Sequence, residues 1–245
     1  MTDGPVGTPG PSWSMALIRV GPDSADLAGL LRDNGVPSSL PVVVLVGGAS
    51  GLAEAESARC DRLIRSCVIP VVERLGACLV DGGTDSGIIA LAGLARRDAR
   101  ALAPHVGVVA AGTVRLPGEV DDGRIGLEPH HSHVVVVPGD DWGDEVPWLA
   151  AVATVVAGDR PSVTVLANGG DVAYDDVRHS LAAGRPVLVL SGTGRAADAI
   201  AAAQAGSPAD ERAKEVAASP LVTSVAFDVD AVTAAIDLAL RRRLA

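Results

Sequence analysis

Residues 42–51 read VVVLVGGASG, five aliphatic residues in a row followed by a glycine cluster. An uninterrupted apolar run of this length describes a strand covered on both faces, and the glycines let the chain turn tightly where a ligand can approach the backbone. The same design returns as CLVDGGTDSG from Cys78, VVVVPGDDWG from Val134, VTVLANGGD from Val163 and VLVLSGTGRAAD from Val187. A helix that starts after such a turn points unpaired N–H groups at any anion beyond the strand end. Together the five runs predict an α/β fold: a doubly wound, mostly parallel sheet with helices on both faces and one nucleotide- or phosphate-sized site at its carboxyl edge.

Outward from these runs the pattern alternates strand and helix. Strands are expected at 16–20, 42–46, 77–80, 106–110, 133–137, 163–166, 187–190 and 221–226, and helices at 86–97, 145–156, 172–182, 196–204 and 231–241. From Cys60 to Leu75 the apolar residues Leu63, Ile64, Cys67, Val68, Val71 and Val72 recur at helical spacing around Pro70, so a kink or break is expected there. Segment 117–129 is acidic and rich in glycine and proline, which suits a surface loop or small ribbon. No linker divides the 245 residues, so 15–245 read as one domain after a flexible tail at 1–14 that lacks the basic and apolar regions of a signal peptide.

The net charge is −10 and no Lys/Arg cluster interrupts it before Arg241, Arg242 and Arg243, which argues against a nucleic-acid surface. No apolar run reaches membrane-spanning length, so no membrane partner is expected. Cys60, Cys67 and Cys78 are an odd set within or beside apolar runs, as suits reduced core thiols of a cytoplasmic protein. His130, His131 and His133 lead into a strand with no Cys or Asp partner at ligand spacing, so neither a metal nor a cofactor is expected. The chain is expected to form a homo-oligomer.

Each glycine turn offers candidate ligand contacts. Gly48, Ala49, Ser50 and Gly51 form either an anion nest or a simple tight turn. In DGGTDSG, Gly82 and Gly83 let a ligand approach, Thr84 and Ser86 supply hydroxyls, and Gly87 permits close helix packing. No Gly-Lys-Ser/Thr follows, which leaves P-loop hydrolysis without support. Pro138, Gly139 and Gly143 flank Trp142, whose hydrophilic setting suits stacking on a base or a lid resting on apolar surface. Asn168, with Gly169 and Gly170, either reads a ribose or base edge or occupies a left-handed turn. Gly192, Thr193 and Gly194 lead to Arg195 in the first turn of a helix, where its planar fork suits a phosphate and Asp198 could orient it.

In order, these motifs bring a family into view. The run VLVGGASG through ALAG (44–93), then VGVVAAGTV from Val106, HHSHVVVVPGDDWGDEVPW from His130, NGGD and SGTGRAADAI, resemble the SLOG domain at the N-terminus of TRPM-type cation channels. The resemblance covers roughly 41–204 and is similar to the stand-alone prokaryotic members often called LSDAT. It implies a Rossmann-like fold that binds a nucleotide-derived small molecule, ADP-ribose in some channels, and acts as a sensor. It also implies that Trp142 stacks on adenine and that Arg195 contacts phosphate. Where channel relatives can carry a further phosphate-binding arginine, this chain has Leu149. The rival class is the LOG-type phosphoribohydrolase, whose PGGxGTxxE pattern uses a glutamate in N-glycosidic cleavage. Here PGDDWGDE sets Glu145 one residue early and lacks the threonine.

Overall fold

A computed structural model describes residues 15–21, 26–48 and 51–241; the tail at 1–14, Ala49, Ser50, Arg242 and Arg243 lie outside these. The first half comprises β1 (Ala16–Arg19), α1 (Leu27–Asp33), β2 (Val42–Gly47), α2 (Glu54–Leu63), α3 (Ile69–Leu75), β3 (Cys78–Asp81), α4 (Gly87–Ala99), β4 (His105–Ala110), β5 (Val114–Arg115) and β6 (Ile125–Gly126). The second half comprises β7 (His133–Val137), α5 (Val146–Ala157), β8 (Ser162–Ala167), α6 (Asp171–Ala182), β9 (Val187–Leu190), α7 (Arg195–Gln204), α8 (Glu211–Ala217), β10 (Val222–Val225) and α9 (Val229–Arg241).

Eight strands form one sheet in the order β1-β7-β4-β3-β2-β8-β9-β10, with every pairing parallel. Alternation along each strand splits the core in two. Val42, Val44 and Val46 pack with residues of α5, α6, α7 and α8 on one face, while Val43 and Leu45 pack with residues of α2, α3, α4 and α9 on the other. This is the doubly wound Rossmann-like α/β arrangement. Strand order reverses at β2: the chain proceeds from it to β3 on one side, and β8 later returns to pair on the other. A crevice beyond the carboxyl ends of β2 and β8 follows from that reversal. Gly47 makes the join possible, because a Cβ there would collide with the Ala167 carbonyl oxygen across the two strands.

The break expected around Pro70 is a π turn at Ile64–Val68, where the Ile69 N–H bonds to Ile64 O. Proline cannot donate to the preceding turn, and the widened turn before it absorbs that loss. Segment 117–129 contributes β6, which pairs with β5 in a two-stranded ribbon covering Val109, Val134 and Val136. The sequence reading missed α1 and α8, two seven-residue helices capped by Asp26 and Asp210. The three thiols are buried, and burial pushes Cys60 up to about 11 and Cys78 up to about 12, so they behave as core residues. Among the described residues no helix is long and apolar enough to cross a membrane.

Candidate ligand-binding site

The crevice at the strand reversal holds a cavity of about 460 Å³. Leu45, Val46 and Gly47 of β2 line it, joined by Gly82, Thr84 and Ser86 of the β3–α4 turn and by Ile89 and Ile125. Trp142, Glu145 and Leu149 enter from the start of α5, and Gly170, Asp171, Val172, Ala173 and Asp176 from α6. Arg195 enters from α7. The first turns of α4, α5, α6 and α7 thus converge on one space, with their N–H groups and positive dipole ends.

Each motif has folded around its own polar groups. Trp142 stays 54% exposed although it lines the cavity, so its ring has a free face. The acidic loop before α5 is held by its own carboxylates: Asp144 Oδ2 accepts the amides of Asp140 and Asp141 at 3.0 and 3.1 Å. Glu145 Oε2 accepts the Gly143 amide at 3.0 Å, and burial raises the Glu145 carboxyl above its ordinary range. Leu149 is buried and supplies an apolar surface to the cavity.

Arg195 adopts a left-handed backbone conformation, φ +49°, uncommon for a residue with a Cβ and a sign of local constraint. Gly170 leaves room for its guanidinium, since a Cβ there would approach Nη2 to 2.8 Å. The carboxylate of Asp198, expected to orient Arg195, accepts the Gly192 amide at 2.6 Å and so holds the loop. Arg59 donates to Gly192 O at 3.0 Å from α2.

Two of the expected ligand contacts are buried and hydrogen-bonded within the protein. Asn168 is wholly buried in a left-handed turn, φ +62°. Its amide donates to Glu56 Oε2 at 3.0 Å and Thr193 O at 2.8 Å, while Oδ1 accepts from Gly169 N at 2.9 Å. Both amide hydrogens are therefore engaged within the protein. Thr193 bonds Leu190 O at 2.6 Å and receives the Asn168 amide at 2.8 Å, tying the β8 and β9 turns together. Of the remaining expected glycines, Gly82 and Gly170 line the cavity. Gly48, Gly51, Gly83, Gly87, Gly139, Gly143, Gly169, Gly192 and Gly194, with Pro138, are not among its lining residues and sit at the strand-to-helix connections. At Gly83, with φ +64°, an added Cβ would meet Gly107 Cα at 3.1 Å.

The histidines need a correction. His131 has no acidic partner nearby in sequence except Glu128, but the fold brings Asp81 to it. Asp81 accepts from His105 Nε2 at 2.7 Å, His131 Nε2 at 2.8 Å and Gly83 N at 2.9 Å. His131 Nδ1 faces Glu128 Oε2 at 2.8 Å, and His130 Nδ1 faces Glu128 Oε1 at 2.6 Å. Asp81, His105 and His131 have the composition of a metal site. Their ligand atoms lie within 4.8 Å of one another, and two of the contacts are hydrogen bonds to Asp81. Burial alone would lower His131, but the carboxylates of Asp81 and Glu128 outweigh it and raise the ring to about 9. His105 is lowered to about 4 by burial and by the charge on His131. The network carries a buried imidazolium between two carboxylates and clamps the turn that presents Gly82, Thr84 and Ser86.

The family described as SLOG in TRPM, prokaryote, matches residues 40–235. The chain belongs to that family. Among solved structures, this SLOG protein is similar to the molybdenum cofactor carrier protein MCP of Chlamydomonas reinhardtii, with a TM-score of 0.55 and 19% identity over 83% of this chain and 99% of that one. It is also similar to TM1055, with a TM-score of 0.52 and 22% identity over 81% of this chain and 99% of that one. At these identities the likeness is one of fold. No curated protein matches.

Asp176 is the most chemically distinctive of the lining residues that sequence reasoning passed over, which also include Ile89 and Asp171. Asp176 lies in AYDDVRH, where two adjacent acids look like a solvated face. The helical period held the signal: Asp176 is three residues after buried Ala173 and four before buried Ser180, on the inward stripe of α6.

Proposed function

We propose that this SLOG protein binds a nucleotide-derived small molecule, ADP-ribose-like or otherwise NAD-related, in the cavity beyond β2 and β8, and serves as a sensor. One observation carries the reading: a single cavity gathers four helix starts, a half-exposed tryptophan and an arginine. A volume of about 460 Å³ is of nucleotide size. The base rests on Trp142 and the phosphate sits at Arg195. With Leu149 in place of a second cation, Arg195 and the helix starts carry the phosphate, which favours ligands of low phosphate charge.

Thermal-shift screening with AMP, ADP-ribose, NAD, cyclic nucleotides and CoA, followed by calorimetry, is the test. At least one should bind. Trp142→Ala should weaken it about tenfold or more, since stacking is worth about 1–3 kcal/mol. Arg195→Ala should weaken the phosphorylated ligand by a similar factor and spare the bare nucleoside. If no nucleotide shifts the transition, or if both variants bind as wild type does, the reading fails.

The buried, raised Glu145 carboxyl in this cavity favours a second reading, N-glycosidic hydrolysis of the LOG type. Chromatography of overnight incubations with nucleoside monophosphates separates the two. Turnover that disappears in Glu145→Gln establishes the hydrolase.

A further inference from the structure

The cavity contains a carboxyl group that the reading above does not use. Asp176 of α6 lines it, half-buried, and among the described residues no hydrogen bond or ion pair engages it. The same space holds Thr84, 2% exposed, whose hydroxyl is also without a partner. A carboxyl with no protein partner and a buried, unpartnered hydroxyl in one ligand-sized cavity with a stacking surface point to a polar ligand.

We propose that Asp176 reads the base: its carboxyl meets the edge of an amino-substituted purine or pyrimidine on which a ring nitrogen adjoins an exocyclic amino group. This rests on the cavity being a nucleotide site.

The surrounding charges fix the chemistry of the carboxyl. Glu145 faces it from the start of α5, and Asp175 adjoins it on α6. Asp171, earlier on α6, is paired with Arg212 of α8 at 2.8 Å, and Glu215 of α8 is paired with Arg178 at 2.8 Å. Arg195 lines the cavity from α7, while the β2 residues there, Leu45 and Val46, are apolar. Burial first, and then the charge of Glu145, push Asp176 up to about 8. At neutral pH it is therefore a carboxylic acid, with one O–H donor and one carbonyl acceptor side by side. An aminopurine edge offers the complementary acceptor and donor. A neutral Asp176 also removes a charge that would oppose the ligand phosphate.

Calorimetry with AMP and with purine riboside 5′-monophosphate, which lacks only the amino group, tests this between pH 6.5 and 9. The readout is the ratio of the two affinities, so any general loss of folded protein cancels. Wild type should prefer AMP about tenfold at pH 6.5, and the preference should shrink as pH passes 8 and the donor is lost. Asp176→Asn, which keeps one donor and one acceptor, should retain the preference and make it independent of pH. Asp176→Leu should abolish it, with thermal unfolding confirming the fold. A ratio unchanged in Asp176→Leu, or a pH dependence that survives Asp176→Asn, overturns the assignment of base reading to Asp176 alone. If AMP gives no heat with the wild type, both this assignment and AMP binding at the site fall.

Discussion

At the scale of single residues, polar side chains at neighbouring glycine turns differ in whether they reach the cavity. Asn168 and Arg195 both end glycine turns, yet the Asn168 amide is consumed within the protein while Arg195 opens onto the cavity. The turns were legible from glycine alone, but the division of labour depended on partners far away in sequence. The buried histidines give a pH prediction. His131 is raised from 6.5 to about 9, so its contribution is complete below pH 6.5 and is lost as pH rises through 9. That shift corresponds to on the order of 3 kcal/mol. His105 is lowered to about 4 and Asp81 is held below its ordinary range by the two rings after overcoming burial, so their contributions are lost as pH falls from 6.5 towards 4 and below. Urea midpoints should therefore peak near neutrality and decline on both sides. His131→Gln should lower the midpoint and flatten the alkaline decline. An alkaline decline of unchanged slope in that variant would show that the stability lies elsewhere.

At the scale of elements, the eight sheet strands were anticipated within a few residues, because continuous Val/Leu runs leave few alternatives. The π turn was visible only as a conflict between a helical stripe and Pro70. Helix α4 supplies an element-level test. Gly93 lies inside it, where alanine would ordinarily gain about 1 kcal/mol in helix propensity. Here an added Cβ would collide with the Glu128 carboxylate that supports His131 and His130. Gly93→Ala should therefore destabilise, by about 1–3 kcal/mol as overpacking does, and narrow the pH window of stability. A higher denaturation midpoint would mean that Glu128 can move aside without cost.

At the scale of the whole molecule, the site is a property of strand order. Four helix starts meet because β2 sits between β3 and β8, and every strand points the same way. A bound nucleotide should therefore slow amide hydrogen exchange together in the first turns of α4, α5, α6 and α7. The distal ends of these helices should change little, and the edge strands β1 and β10 should remain the fastest strands of the sheet. Protection confined to one helix start would break the idea of a shared site.

The sequence by itself determined the α/β class, the strand positions and the sheet edge at which the glycine turns gather, and it offered Trp142 and Arg195 as candidate contacts. Those follow from local rules of apolar period, glycine turns and helix starts. Only the tertiary structure decided that Asp81 sits between His105 and His131, that Asn168 is buried and bonded within the protein, and that Asp176 rather than Asp175 faces the cavity. Each of these depends on a contact between distant segments or on which way one helix face turns, and local sequence does not specify either.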